Sequence, residues 1–248
     1  MKQQLDYYFL AQSFLSRIPI PKTVEYSDKN VGQAVLYYPV VGLLIGAILA
    51  LCAYCLSFAD HLLVAVILTS VWAAVTGALH LDGLADSADA WLGGHGDKQR
   101  IFTIMQDPRS GTAAVVALVL ILLLKVILLS LLLQYEQYFL ILMIPVAARF
   151  AAVALLYLLA AAKQQGLAYI AKSFLPSSTP IYLLILLMVL SMIMPLIMCM
   201  VVISIYLLKR IMQSQIGGMT GDTLGASIEI IEMFGLLAAY LMLLFTIA

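Results

Sequence analysis

Long runs of apolar residues, separated by short polar links, fill most of the sequence. A helix needs about 20 apolar residues to cross a bilayer, and the pattern predicts seven such helices, at residues 37–58, 62–79, 112–133, 138–162, two legs within 180–208, and 227–248. The run 180–208 is long for one span and short for two. We therefore expect a turn near Met194-Pro195 and a second leg that can continue past Lys209. A count of six to eight helices fits the same pattern.

Positive charge is distributed unevenly among the polar segments. Lysine and arginine are absent from the links 59–61 and 134–137. They occur in the N-terminal arm (Lys2, Arg17, Lys22, Lys29), in residues 80–111, at Lys163 and Lys172, and at Lys209 and Arg210. Because basic segments that flank membrane helices tend to stay in the cytoplasm, the N-terminus is predicted to be cytoplasmic.

These patterns predict an all-α, polytopic membrane helix bundle. Residues 1–248 form a single membrane domain in this interpretation, because the polar segments are too short for a second one. Residues 1–36 are predicted to be a cytoplasmic or interfacial arm, with an uncleaved surface helix over Tyr7–Leu15.

Composition supports the membrane interpretation and restricts the partners. The chain is 64% hydrophobic and 10% charged, with a mean hydropathy of +1.07, whereas soluble domains have roughly 45–50% apolar and about 25% charged residues. Thirteen basic and thirteen acidic residues cancel, so no overall positive field favours nucleic acid. We expect the lipid bilayer as a partner and no nucleic acid, and a homo-oligomer is left open.

The segment His80–Asp89, H-L-D-G-L-A-D-S-A-D, ends an otherwise apolar run with three acids. Asp82, Asp86 and Asp89 are spaced i, i+4, i+7, which places all three on one face of a helix. Like charges at this spacing repel unless a cation lies between them. Crowded oxygen ligands indicate Mg²⁺ or Mn²⁺, which also bind substrate phosphates. The alternative is a solvated polar face just outside the membrane.

A second acidic cluster follows a glycine-rich segment at residues 215–226. Asp222, Glu229 and Glu232 lie near one helical face, and the charge pattern places this cluster on the same side of the membrane as the first. Two facing acidic helices are able to hold divalent ions that assist a phosphoryl displacement. The glycines would let the backbone approach a phosphate: Gly217, Gly218 and Gly221.

Several basic residues and one histidine are candidates for binding substrate. Arg100 and Arg109 lie close in sequence to the acids, where their guanidinium groups would suit diphosphate oxygens. Arg149 lies inside an apolar run, so it should either neutralise a carboxylate or reach substrate; for Lys125 the structural role is favoured. His80 is either packed in the core or a participant in ligation or proton transfer.

The two acidic motifs together resemble the cobalamin synthase family, the adenosylcobinamide-GDP ribazoletransferases. The resemblance rests on H-L-D-G-L-A-D-S-A-D and G-G-M-T-G-D-T-L-G-A, and extends to S-R-I-P-I-P at 16–21, Y-P-V-V-G-L-L-I-G at 38–46 and I-M-Q-D-P-R-S-G-T at 104–112. It implies a Mg²⁺-dependent enzyme of the bacterial inner membrane, and the charge pattern predicts that its active site faces the cytoplasm. Such an enzyme joins adenosylcobinamide-GDP to α-ribazole or α-ribazole 5′-phosphate and releases GMP.

The resemblance also implies roles for particular residues. Asp82, Asp86, Asp89 and Asp222 would be the catalytic, metal-binding acids, and Glu229 and Glu232 would be further metal ligands. Ala90 departs from the glycine expected after the third aspartate.

Two other functions compete with this interpretation. Intramembrane prenyltransferases also bind Mg²⁺-diphosphate through aspartates, although with a different spacing. Cation transporters place carboxylates near the middle of the bilayer on broken helices, whereas both clusters here lie at predicted membrane ends.

Overall fold

The computed structural model describes residues 2–21 and 24–247, so Lys22 of the predicted arm and Ala248 of the predicted last span lie outside the described residues. Twelve α-helices account for most of the described chain. They are α1 (Lys2–Leu15), α2 (Asp28–Ala34), α3 (Tyr38–Cys55), α4 (His61–Thr76), α5 (Leu79–Gly94), α6 (Lys98–Ile104), α7 (Thr112–Gln134), α8 (Tyr138–Leu158), α9 (Leu167–Ser173), α10 (Thr179–Ile193), α11 (Pro195–Ile216) and α12 (Gly221–Ile247). Within those residues the β structure is limited to one isolated bridge between Ala161 and Met219.

Five helical segments are long and apolar enough to span a membrane: Asp28–Cys55, Thr112–Gln134, Tyr138–Leu158, Pro195–Ile216 and Gly221–Phe245. A sixth is obtained if α4 and α5 are counted together, although they meet at an angle of 90°. The all-α polytopic bundle is therefore confirmed. The predicted count of seven also included α10, which has only 15 residues and is shorter than an ordinary span.

The bend between α4 and α5 sets the direction of the first acidic motif. Asp60 caps the start of α4 by accepting hydrogen bonds from the backbone N–H groups of Leu62 and Leu63. The helix ends where Gly77 (φ +63°) and Ala78 (φ +55°) adopt the left-handed conformation. The run 62–79 was predicted as one span, and α4 occupies most of it; the left-handed pair near its end is why α5 turns away from α4.

The centre of the bundle is α8. Of its most apolar stretch, 89% is buried, and it packs against α3, α11 and α12. Small residues on α8, such as Ala147, Ala148 and Ala151, let the neighbouring helices approach closely. By contrast, α7 leaves Val116, Leu120 and other large apolar side chains exposed, which is the surface expected to face lipid.

The break in the long run 180–208 falls where it was predicted. Met194 separates α10 from α11, and Pro195 occupies the first turn of α11, where its missing N–H breaks no helical bond. As expected, α11 then continues past Lys209 to Ile216.

Candidate active site

The two acidic motifs meet where α5 crosses the start of α12. A side chain on Gly83 would place its Cβ only 2.5 Å from the backbone oxygen of Asp222. Only glycine allows two helix backbones to come this close. Gly225, one turn further along α12, lies against His80 and Gly83 in the same way at ordinary contact distance. The crossing therefore brings Asp82 and Asp86 of α5 next to Asp222 of α12.

Electrostatics confirm that these carboxylates form one group. Asp82 is exposed, and Asp86 and Asp222 are half-buried. The helix α5 is not itself one of the five candidate spans. Burial, followed by repulsion from Asp82, Asp222 and Asp89, raises the pKa of Asp86 to about 6. A cation bound among these acids would relieve that repulsion.

The local sequence T-G-D-T fixes the start of α12. The backbone N–H of Thr220 donates to the hydroxyl of Thr223 at 2.9 Å, and the N–H of Thr223 donates to the hydroxyl of Thr220 at 3.2 Å. This reciprocal pair satisfies two groups at the helix end. Asp222 is thereby held in the first turn, at the mouth of the bundle.

Asp89 has a different structural role from Asp82 and Asp86, the other two aspartates of its motif. Its carboxylate accepts hydrogen bonds from the backbone N–H groups of Gly111 (2.5 Å) and Ala114 (2.9 Å) at the start of α7. An acid in this position caps the helix and neutralises the positive end of its dipole. Asp89, a predicted metal ligand, is therefore hydrogen-bonded to the start of α7.

Glu229 and Glu232, also predicted metal ligands, lie deeper in the bundle and are paired with cations. The ammonium of Lys125 is 2.6 Å from a carboxylate oxygen of each, and the guanidinium of Arg149 bonds the other oxygen of Glu232. All four side chains are buried. Seven residues of helix separate Asp222 from Glu229 by about 10 Å along the axis. These four residues, which we call the buried ion network, have no net charge.

His80 links the buried ion network to the acidic crossing. Its Nδ1 lies 3.5 Å from the guanidinium of Arg149. The imidazole is 4% exposed, and its Nε2 has no hydrogen-bond partner among the described residues. Because arginine only donates hydrogen bonds, this contact favours the tautomer in which Nδ1 accepts and Nε2 carries the proton.

Two adjoining cavities open beside Asp222. The polar cavity, of about 430 Å³, is lined by Lys163, Gln165, Thr220 and Asp222 among others. The apolar cavity, of about 240 Å³, is lined by Phe14, Tyr38 and Leu156 and also by His80, Asp82 and Asp222. Both cavities share four residues: Leu167, Ala168, Gly221 and Asp222.

The three glycines predicted to contact phosphate have different positions in the structure. Gly217 ends α11 in the left-handed conformation (φ +73°), and Gly218 packs against the backbone oxygen of Ala160, where a Cβ would lie at 2.3 Å. Gly221 alone lines the cavities and has open space where a side chain would be.

The arginines predicted to bind substrate lie outside both cavities. Arg109 is exposed and forms a 2.7 Å ion pair with Asp107 in its own turn. Hydrogen bonds from Arg109 lower the pKa of Asp107 to about 2. Arg100 is exposed on α6, and Arg149 belongs to the buried ion network.

Lys163 is the cation that the structure brings into the polar cavity. Its ammonium lies over the ring of Phe102 at 4.6 Å, and Lys98 lies over the same ring at 5.7 Å. Lys163 also attracts the carboxylate of Asp222. In the sequence, Lys163 indicated only the orientation of the chain in the membrane, and its position near the site follows from the fold.

The donor set at the crossing suits a hard divalent cation. Asp82, Asp86 and Asp222 offer only carboxylate oxygens, the ligands that Mg²⁺ prefers, and Mg²⁺ needs just one or two of them beside waters and substrate phosphates. In the described part of the chain, no three His, Cys, Asp or Glu side chains are already placed to hold a metal ion. A donor set made only of carboxylate oxygens suits a cation that completes its coordination with waters and a phosphate.

The fold and the site define a class: a polytopic helical membrane protein with a carboxylate cluster beside two adjoining cavities at one end of its bundle. The sequence model of the family described as "Cobalamin-5-phosphate synthase" matches residues 7–240. The chain belongs to that family, which confirms the resemblance seen in the motifs.

Curated relatives match the chain over nearly its whole length. One from Pseudomonas paraeruginosa (strain DSM 24068 / PA7) is 42% identical, over 96% of this chain and 99% of its own. Another from Stutzerimonas stutzeri (strain A1501) is 40% identical, over 90% of this chain and 93% of its own. Both are named adenosylcobinamide-GDP ribazoletransferase. No solved structure matches.

Proposed function

We propose that this protein is an adenosylcobinamide-GDP ribazoletransferase. It transfers the adenosylcobinamide phosphate moiety from adenosylcobinamide-GDP to α-ribazole or α-ribazole 5′-phosphate, forming adenosylcobalamin or its 5′-phosphate and releasing GMP. The observation that carries the proposal is the family match over residues 7–240, in a chain whose Asp82 and Asp222 meet beside two adjoining cavities.

In the proposed reaction a ribose hydroxyl of α-ribazole attacks the phosphorus that carries adenosylcobinamide. A new P–O bond forms, the P–O–P bond to guanosine monophosphate breaks, and GMP leaves with the bonding electron pair. The hydroxyl proton passes to a carboxylate at the crossing, where Asp222 borders both cavities. Lys163, in the polar cavity, faces the negative charge of the diphosphate.

We further propose Mg²⁺ as the cofactor, with Mn²⁺ as a substitute. Asp82, Asp86 and Asp222 would hold it, with Asp89 remaining on the start of α7. A bound divalent ion would neutralise the charge of the diphosphate oxygens. This assignment is supported by the all-oxygen donor set and by the crowding that raises the pKa of Asp86.

The proposed location is the bacterial inner membrane, with the site facing the cytoplasm. Its support is the absence of lysine and arginine from the links 59–61 and 134–137, together with their presence in residues 80–111 and at 209–210.

The test is an assay of purified protein in lipid with adenosylcobinamide-GDP, α-ribazole and Mg²⁺. We expect GMP and adenosylcobalamin in equal amounts. Asp82→Asn and Asp222→Asn should each lower turnover by about 10²-fold or more, the usual effect of losing a catalytic group. Asp60→Asn, at the far start of α4, is the matched control and should retain activity. Absence of product from the wild type, or Mg²⁺ flux without product, would contradict the proposal.

A further inference from the structure

The apolar cavity is built differently from the polar one beside it. Its lining comes from α1, α3, α5, α8, α9 and α12 and includes Phe14, Tyr38, Leu156 and Ala171. The charged residues in its lining are Asp82 and Asp222. Such a cavity favours an apolar group that also carries polar atoms.

One residue of the lining, His80, has a buried ring nitrogen that lacks a partner among the described residues. That nitrogen is Nε2, a donor in the favoured tautomer, and the ring is almost fully buried. A buried donor without an acceptor costs free energy, so an acceptor supplied by a ligand would be favoured here. The contact of Nδ1 with Arg149 favours this tautomer.

The junction of the cavities restricts how two substrates are arranged. Because Asp222 borders both, molecules that occupy the two cavities would meet beside it. Lys163 lies in the polar cavity only, so the diphosphate belongs there. The corrin ring is far larger than either cavity and must remain outside.

We propose that the apolar cavity is the nucleoside subsite: it binds the aromatic base of α-ribazole, whose free ring nitrogen accepts a hydrogen bond from Nε2–H of His80. The ribose then extends toward Asp222, and the guanosine diphosphate end of the other substrate occupies the polar cavity. This assignment rests on the proposed function and adds which cavity receives which substrate.

The first experiment reduces the volume of the nucleoside subsite by a substitution that leaves the carboxylates unchanged. Ala152→Leu adds bulk to its wall on α8. The matched control is Ala154→Leu, the same substitution two residues along the same helix, where the side chain lines an apolar groove with Tyr157 and Leu183 instead. We expect Ala152→Leu to raise KM for α-ribazole at least tenfold and to leave KM for adenosylcobinamide-GDP within twofold. Ala154→Leu should change neither.

The second experiment separates the two nitrogens of His80. Asparagine in place of His80 retains a polar atom near Nδ1 and removes the Nε2 donor, whereas glutamine places an amide N–H near Nε2. We therefore expect His80→Asn to weaken α-ribazole binding about tenfold, the value of one hydrogen bond of about 1.4 kcal/mol. His80→Gln should restore most of that loss. Titration calorimetry with α-ribazole alone measures this without turnover.

The outcomes distinguish this inference from the proposed function. If the wild type forms no cobalamin, the proposed function fails. If the wild type is active but Ala152→Leu raises KM for both substrates equally or for neither, or if His80→Asn binds α-ribazole as tightly as the wild type, the subsite assignment is overturned and the function stands.

Discussion

Lys163 and Arg109 carry the same charge in different surroundings. Lys163 is half-buried in the polar cavity and attracts Asp222. Arg109 is exposed, and its guanidinium is already bonded to Asp107. Because a cation contributes most to phosphate binding where water is partly excluded, we assign the larger role to Lys163.

We predict that Lys163→Met raises KM for adenosylcobinamide-GDP by about tenfold or more, since hydrogen bonds to charged groups contribute roughly 1.5–3 kcal/mol. Arg109→Met should change it less than threefold. Steady-state kinetics at saturating α-ribazole measure both. If the loss occurs in Arg109→Met and not in Lys163→Met, the diphosphate site predicted from the sequence around Arg109 is the correct one.

Among the helices, the crossing of α5 and α12 depends on a single glycine. A Cβ on Gly83 would meet the backbone of Asp222 at 2.5 Å, whereas one on Gly225 would lie 3.4 Å from the Cα of His80. The first contact is with backbone that cannot rotate away, and the second is close to ordinary packing distance.

Gly83→Ala should therefore push the two helices apart. We expect a loss of about 1–3 kcal/mol in stability, the usual cost of overpacking, together with lower activity because Asp222 moves away from Asp82. Gly225→Ala should have a much smaller effect on both. Thermal unfolding in detergent and turnover in lipid provide the two readouts; equal behaviour of the two variants would contradict the argument.

The buried ion network joins α7, α8 and α12 through charges that cancel. Lys125 also lies 4.5 Å above the ring of Trp72 on α4. Removal of one partner from such a group leaves a buried charge uncompensated, which costs about 3–5 kcal/mol, whereas removal of a matched pair costs less.

We predict that Lys125→Met lowers the yield and unfolding temperature of the protein sharply. The double variant Lys125→Met with Glu229→Gln restores neutrality and should recover at least half of the lost stability. A double-mutant cycle on unfolding measures the coupling. Additive losses would mean that Lys125 and Glu229 do not stabilise one another.

Hydropathy predicted much of this fold. The ends of α3, α7 and α8 fall within a few residues of the predicted spans, and the break at Met194 follows from proline. The bend at Gly77-Ala78 could not be predicted, because the left-handed pair lies within an unbroken apolar run. The sequence also does not show which charged side chains pair across helices. Asp222 and Glu229 lie on one helix at a spacing that shares a face, but Glu229 lies deeper in the bundle than Asp222. There Lys125 and Arg149, from other helices, pair with Glu229 and Glu232.

At the scale of the whole molecule, the bundle has two chemically different ends. One end carries the carboxylates and both cavities, with Gly217 beside the ammonium of Lys98. At the other end, the links 57–61 and 134–138 meet around a cavity of about 200 Å³. The two acidic motifs thus lie at the same end of the bundle, as the charge pattern predicted.

We predict that single cysteines at Gly96 and Gln215 are labelled from the cytoplasmic side, and that one at Glu136 is labelled from the opposite side. Membrane-impermeant thiol reagents on oriented vesicles measure this, in a background that lacks Cys52, Cys55 and Cys199. Labelling of residues 96 and 215 from opposite sides would contradict both the proposed orientation and the proposal that the two acidic motifs form one site.

The composition of the buried ion network has a consequence for biosynthesis. Ribosomes make the chain from its N-terminus, so Lys125 and Arg149 are translated before Glu229 and Glu232. A cation without a partner in the bilayer core costs about 2.5–3.5 kcal/mol. The arrival of α12 neutralises both cations and, in the same event, brings Asp222 to α5. A nascent chain in the membrane therefore has no active site until its last described helix has inserted.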